Sequence, residues 1–176
     1  MSGYTVTMPT LTRRHVLAAG ALVLALGAGT GLWVGSWWDQ DPAAGLLVLS
    51  EDEVAILDAL AEAIFPAGGD PAIGGRAAGC GRFTDKVLSG MAETQANLVR
   101  MSIHAVENFP LATHGSRFSS LETPAATQLV RDWLAHPQPE VRGVVQSLYI
   151  FLGTAWTTHP EVAPRIVALS TCGYGR

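Results

Sequence analysis

The chain has 176 residues, 48% of them hydrophobic, which is enough for one core and gives no sign of a second domain. Only 15% are charged, against roughly 25% in soluble globular domains, so an apolar segment must raise the average. From Asp39 onward nine basic residues stand against fifteen acidic ones, a net of −6 with Lys86 the single lysine, and such a body lacks the basic patch that nucleic acid or an anionic lipid surface requires.

Thr12-Arg13-Arg14-His15-Val16-Leu17 sets two arginines directly before an uncharged run from Val16 to Trp38, with no acidic residue upstream. A positive n-region followed by an apolar h-region is the layout of a bacterial export signal, and the Arg13-Arg14 pair points to the twin-arginine translocase. Gly20, Gly27, Gly29, Gly31 and Gly35 keep the run only moderately hydrophobic, as in other signals of that route. Two fates stay open. Ala25-Leu26-Gly27 offers a small-x-small cleavage site, whereas the length of the run approaches the roughly 20 residues that span a bilayer. Trp33, Trp37 and Trp38 resemble the interfacial belt of a retained helix with its N-terminus inside and the body outside. Residues 1–38 are therefore read as a signal or retained membrane anchor, 39–48 as a linker and 49–176 as the folded domain. The expected location is the periplasm, in association with the membrane. Gly27-Ala28-Gly29-Thr30-Gly31 imitates a dinucleotide-binding fingerprint, but its third glycine would fall at Leu32 and no strand precedes it, so it belongs to the h-region.

In the body, Ser50 followed by Glu53 forms a capping box and predicts a helix whose Val54, Leu57, Leu60, Ala61 and Ile64 face inward, ended by Pro66. The Gly/Pro-rich stretch 67–75 reads as a loop. A short helix is expected over 83–88, then a longer one over 92–109 that buries Leu98, Met101, Ala105 and Phe109 and is closed by Pro110. Thr123 as N-cap with Pro124 at N1 opens a helix burying Leu129, Val130, Trp133 and Leu134. Residues 139–158 carry the stripe Val141, Val144, Val145, Leu148, Leu152 and Trp156, and this helix is expected to be the most buried; a weaker piece covers 162–169. No alternating strand run competes. The fold class is all-α, a compact bundle of about five or six helices preceded by the N-terminal signal or anchor helix.

Chemistry is sparse. The haem-attachment motif C-x-x-C-H, H-E-x-x-H, Glu-x-x-His, the phosphate loop G-x-x-x-x-G-K-[ST] and the G-x-S-x-G elbow do not occur. Beyond His15, the histidines His104, His114, His136 and His159 show no i, i+3 or i+4 pairing and read as surface or helix-end residues, so no catalytic, cofactor-binding or metal residue is assigned. Cys80 and Cys172 form a candidate disulfide in an oxidising compartment and would otherwise be buried thiols, either of them a more economical reading than a Cys80 nucleophile. Trp133 and Trp156 sit on apolar helical faces, and Trp156, near a helix end, also suits an interface anchor.

Taken together, the twin-arginine signal, the Leu49-Ser50-x-x-Glu53 opening, Ile64-Phe65-Pro66, Asp70-Pro71-Ala72, Phe118-x-x-Leu121, Trp156 on a late helix and the Gly-Tyr-Gly end at Tyr174 resemble the gluconate 2-dehydrogenase subunit 3 family. The resemblance spans about 49–176. It implies a non-catalytic small subunit that holds no cofactor itself. Such a subunit binds an FAD-dependent dehydrogenase large subunit of the glucose–methanol–choline type, acting on a sugar, sugar acid or alcohol, with a multihaem cytochrome c subunit as electron acceptor. The small subunit would stabilise the flavoprotein and supply its export signal, and Phe65, Pro66, Pro71, Trp156 and Tyr174 are the candidate partner interface. The competing reading is a stand-alone membrane-anchored helical scaffold of the cell envelope without a redox role.

Overall fold

The computed structural model describes residues 41–169. Arg13, Arg14 and the apolar run to Trp38, as well as Cys172 and Tyr174, lie outside the described residues. Within them there is no strand; six helices of seven residues or more are joined by a single helical turn and a 3-10 turn. They are α1 (Glu51–Ile64), α2 (Cys80–Leu88), α3 (Glu93–Asn108), the one-turn α4 (Leu111–His114), the 3-10 turn Phe118–Ser120, α5 (Thr123–Leu134), α6 (Pro139–Thr158) and α7 (Ala163–Leu169).

The capping box forms as the sequence predicts. Ser50 Oγ accepts from the Glu53 N–H and the Glu53 carboxylate accepts from the Ser50 N–H, so two otherwise orphan amides at the α1 N-terminus are satisfied. Around it α1 packs on α2, α3, α5 and the 3-10 turn, while α6 packs on α2, α3 and α5. Leu57, Leu60, Ile103, Phe118, Leu148 and Leu152 are fully sealed between them. Against expectation α1 is more deeply buried than α6: six α1 positions are buried against four in α6, which leaves Tyr149 and Ile150 exposed. The buried α1 face is also turned from the expected one, taking in Ile56, Ala63 and Glu53 and leaving Val54 and Ile64 half-buried.

Helix α2 begins at Cys80, three residues before the expected start, because Gly79 at its N-cap adopts φ +70, a left-handed turn that glycine makes without strain. Ahead of it Gly75 lies so close to α1 that a Cβ there would collide with the Ala61 carbonyl. Glu62 fixes the loop 67–75 by accepting from the Ala67 and Arg76 N–H groups at 3.0 and 3.2 Å. Helix α5 starts at Thr123 with Glu122 as its cap, one residue earlier than expected, and places Pro124 inside the first turn. Phe118 is fully buried against Trp133, ring centroids 5.6 Å apart, and Phe109 meets the same indole edge-on at 5.6 Å.

The segment read as linker is fixed at its end. Asp85 on α2 is 3% exposed, and its carboxylate accepts from the N–H groups of Leu47, Val48 and Leu49, each at 2.9 Å. One side chain therefore satisfies three consecutive backbone donors just before the capping box. Replacing Asp85 by Ala strands these donors and is expected to destabilise the domain by about 2–4 kcal/mol. Urea unfolding measures that loss, and limited proteolysis should show faster cleavage within 41–49 than in wild type.

Candidate functional site

The interior holds a charged cluster that the sequence reading did not anticipate. Glu53, at the third position of α1, is 1% exposed, and its Oε1 accepts from Arg100 Nε at 2.8 Å and lies 3.0 Å from His104 Nε2. Its Oε2 is the oxygen that accepts from the Ser50 N–H at 2.8 Å. Burial alone would raise the carboxyl pKa. Hydrogen bonds from His104, Arg100 and Ser50, together with the Arg100 charge, outweigh it and lower the value from 4.5 to about 2. Glu107, one turn further along α3, is also buried and accepts from the Ser119 N–H at 2.9 Å and Ser119 Oγ at 2.7 Å, which ties α3 to the 3-10 turn.

His104 is thus no surface histidine. Arg100, His104 and Glu107 recur at i, i+4 and i+7 and occupy one face of α3, which is the signal in the sequence that exposes the error. The face expected to be buried is so only at its end: Leu98 is 56% and Met101 46% exposed and Ala105 is half-buried, whereas Phe109 packs on Trp133. The other three described histidines do make local helix-end bonds: His114 with Thr113 Oγ1, His136 with the Gln138 N–H and His159 with the Glu161 N–H.

Of the residues proposed as an interface, Phe65 and Trp156 come together as a parallel stack with centroids 4.6 Å apart. Trp156 Nε1 donates to the Ile73 carbonyl at 3.1 Å, so the indole pins the loop 67–75 as well as α1. Tyr149 approaches Phe65 at 6.0 Å, Pro66 is exposed and Pro71 half-buried in the same loop. Asp70 in that loop pairs with Arg165 of α7. Trp156 therefore spends much of its surface on the domain itself.

Cys80 is a free, fully buried thiol that donates weakly to the Leu152 carbonyl at 3.7 Å. Burial, and secondly the negative charge of Asp58, push its pKa to about 11, so it stays protonated and unreactive at neutral pH. Burial likewise raises the pKa of Asp58 although the Gly81 N–H donates to it. Among the described residues no three His, Cys, Asp or Glu side chains converge to hold a metal ion, and no helix is long and apolar enough to cross a membrane.

The fold and its interior define a small helical domain built around charges that satisfy one another. The sequence pattern of gluconate 2-dehydrogenase subunit 3 matches residues 51–163, well over half of the chain, and the chain belongs to that family. No curated protein and no solved structure gives a significant match. The match runs from the first turn of α1 to the first residue of α7, so it includes the Glu53 cluster and the Phe65–Trp156 stack.

Glu53→Ala removes the acceptor from a buried arginine and histidine and is expected to cost about 3–5 kcal/mol of folding free energy, read from urea unfolding. The pH dependence has a definite sign. Because the folded pKa lies below the ordinary 4.5, the contribution of Glu53 is fully present above about 4.5 and is lost as pH falls towards about 2, so wild type should lose stability across that window more steeply than Glu53→Ala. Iodoacetamide at pH 8 should leave Cys80 unmodified in the folded protein and label it once urea is added, read by peptide mapping that separates it from Cys172; rapid labelling of Cys80 in the native state contradicts its burial.

Proposed function

We propose that this chain is the non-catalytic accessory subunit of an exported, FAD-dependent dehydrogenase of the glucose–methanol–choline type that oxidises a sugar, sugar acid or alcohol. The observation that carries the proposal is membership of the gluconate 2-dehydrogenase subunit 3 family across residues 51–163. In this reading FAD sits in the large subunit and haem c in a cytochrome subunit, and this chain supplies neither electrons nor substrate contacts. Its tasks are to stabilise the flavoprotein and to lead it to the periplasmic side of the membrane. The N-terminal Arg13-Arg14 pair before an apolar run supports the second task, because a flavoprotein acquires its cofactor by folding and then needs a route for folded cargo.

The buried polar groups described above support an accessory role. Glu53, Arg100, His104, Glu107 and Asp85 are engaged with one another or with backbone donors, and each bond joins one element of the fold to another. Such groups position helices.

Replacing Arg13 and Arg14 together by Lys keeps the charge that orients a signal but removes the guanidinium pair. Fractionation with antibodies against both subunits should then find this chain and the flavoprotein in the cytoplasm. A flavoprotein that still reaches the periplasm when this chain is held back overturns the export role. Purification of the wild-type complex in mild detergent should show flavin and haem absorbance; an isolated chain with neither leaves the envelope scaffold as the surviving reading.

A further inference from the structure

Helix α3 buries its charges beside its apolar core contacts: Arg100, His104 and Glu107 share the inward side with Ala96, Ile103 and Val106. Between Glu93 and its last residue the only charged side chains are Arg100 and Glu107, and both are buried, Arg100 on Glu53 and Glu107 on Ser119. Outward it presents Leu98 and Met101, 56% and 46% exposed and one turn apart, with Ala105 on the same side. Leu111 in the helical turn that follows is 45% exposed as well. A lone exposed leucine is ordinary, but large apolar side chains grouped on one uncharged helix face point to an interaction surface.

We infer that the Leu98–Met101 face of α3 is the surface on which this subunit docks the large dehydrogenase subunit, an inference that rests on the proposed function above. Net charge argues against two other occupants. The body from Asp39 on has nine basic and fifteen acidic residues, so a second copy would bring two net-negative surfaces together, and a lipid surface with anionic headgroups would be repelled. An uncharged, apolar patch on a different protein suits this face, and membership of a family named as a dehydrogenase subunit points to another subunit of the same enzyme as that protein. The helix is held from inside by the Glu53 and Glu107 bonds, so docking orders little that is not already ordered. The outer face of α6 fits less well. Its Ile150, 67% exposed, has Thr154 and Thr157 at the next helical positions on its side, where α3 has a second exposed large apolar side chain.

The test uses the full chain, tagged at its C-terminus and purified in mild detergent from the cells that make it. Wild type is expected to bring down a flavin-bearing large subunit. L98E/M101E should cut the co-purified flavin absorbance at least tenfold, I150E should leave it within twofold, and circular dichroism and melting temperature of both should match wild type. A photo-reactive p-benzoylphenylalanine placed at position 98 or 101, which leaves the fold unchallenged, should form an adduct of the mass of this chain plus the flavin-bearing subunit. Full flavin retention by L98E/M101E, or adducts joining only two copies of this chain or only lipid, overturns the placement while the proposed function stands. If wild type brings down no flavin-bearing subunit, both fail together.

Discussion

The carboxylate of Glu53 settles more of this fold than any other group. An ion sealed from water is tolerated only when its lone pairs are filled, and here they are filled from two directions. Backbone of the α1 N-terminus approaches one oxygen, and side chains of α3 approach the other. The same residue thus closes the cap of one helix and fixes the rotation of a second helix about its own axis. Once Arg100 and His104 must point at Glu53, Glu107 points inward too, where it meets Ser119, and Leu98 and Met101 have no direction left but outward. A buried charge has decided which apolar residues the molecule shows to its surroundings.

This coupling explains what the sequence disclosed and what it hid. Local chemistry was legible: the Ser50–Glu53 box, the proline that ends α1, the span 139–158 of α6 and the all-helical class all follow from side chains acting on their own neighbours. The rotation of α3 was not legible from hydropathy, because Leu98, Met101 and Ala105 form as good an apolar stripe as Ala96, Ile103 and Val106, which are buried. Reading it required knowing that a charge 47 residues upstream would be waiting for Arg100. Glu53 itself was recognised for its local bond to Ser50, and its second, long-range role left no separate mark in the sequence. The Gly74-Gly75 approach to α1 and the left-handed Gly79 were visible only as a glycine-rich loop, since composition announces irregular backbone without giving its path.

The proposed interface divides along the same line. Phe65 and Trp156 are spatial neighbours, as a shared site requires, yet the stack and the indole bond to Ile73 make them first of all the fastening between α1, α6 and the loop 67–75. Aromatic residues near helix ends attract attention as binding anchors, yet the same large ring with a polar edge is suited to holding loops. Pro66 and Tyr149 carry more of the accessible surface at this end of the domain. A family whose members work inside a larger enzyme needs a domain that keeps its shape while offering uncharged surface, and internal ion pairs are compatible with that demand because they remove charge from the exterior.

The bonds from Leu47, Val48 and Leu49 to Asp85 have a mechanical consequence. A pull on the chain from the side of Asp41 reaches those three hydrogen bonds before it reaches the first turn of α1. They share one carboxylate on α2, so they resist as a group, and tension passes into α2 and through it to α1 and α6. Without this fastening the same pull would act on the Ser50 cap and peel α1 open from its end, one amide at a time. The domain therefore meets traction at its N-terminal side as a packed body, with Asp85 as the point where force enters it.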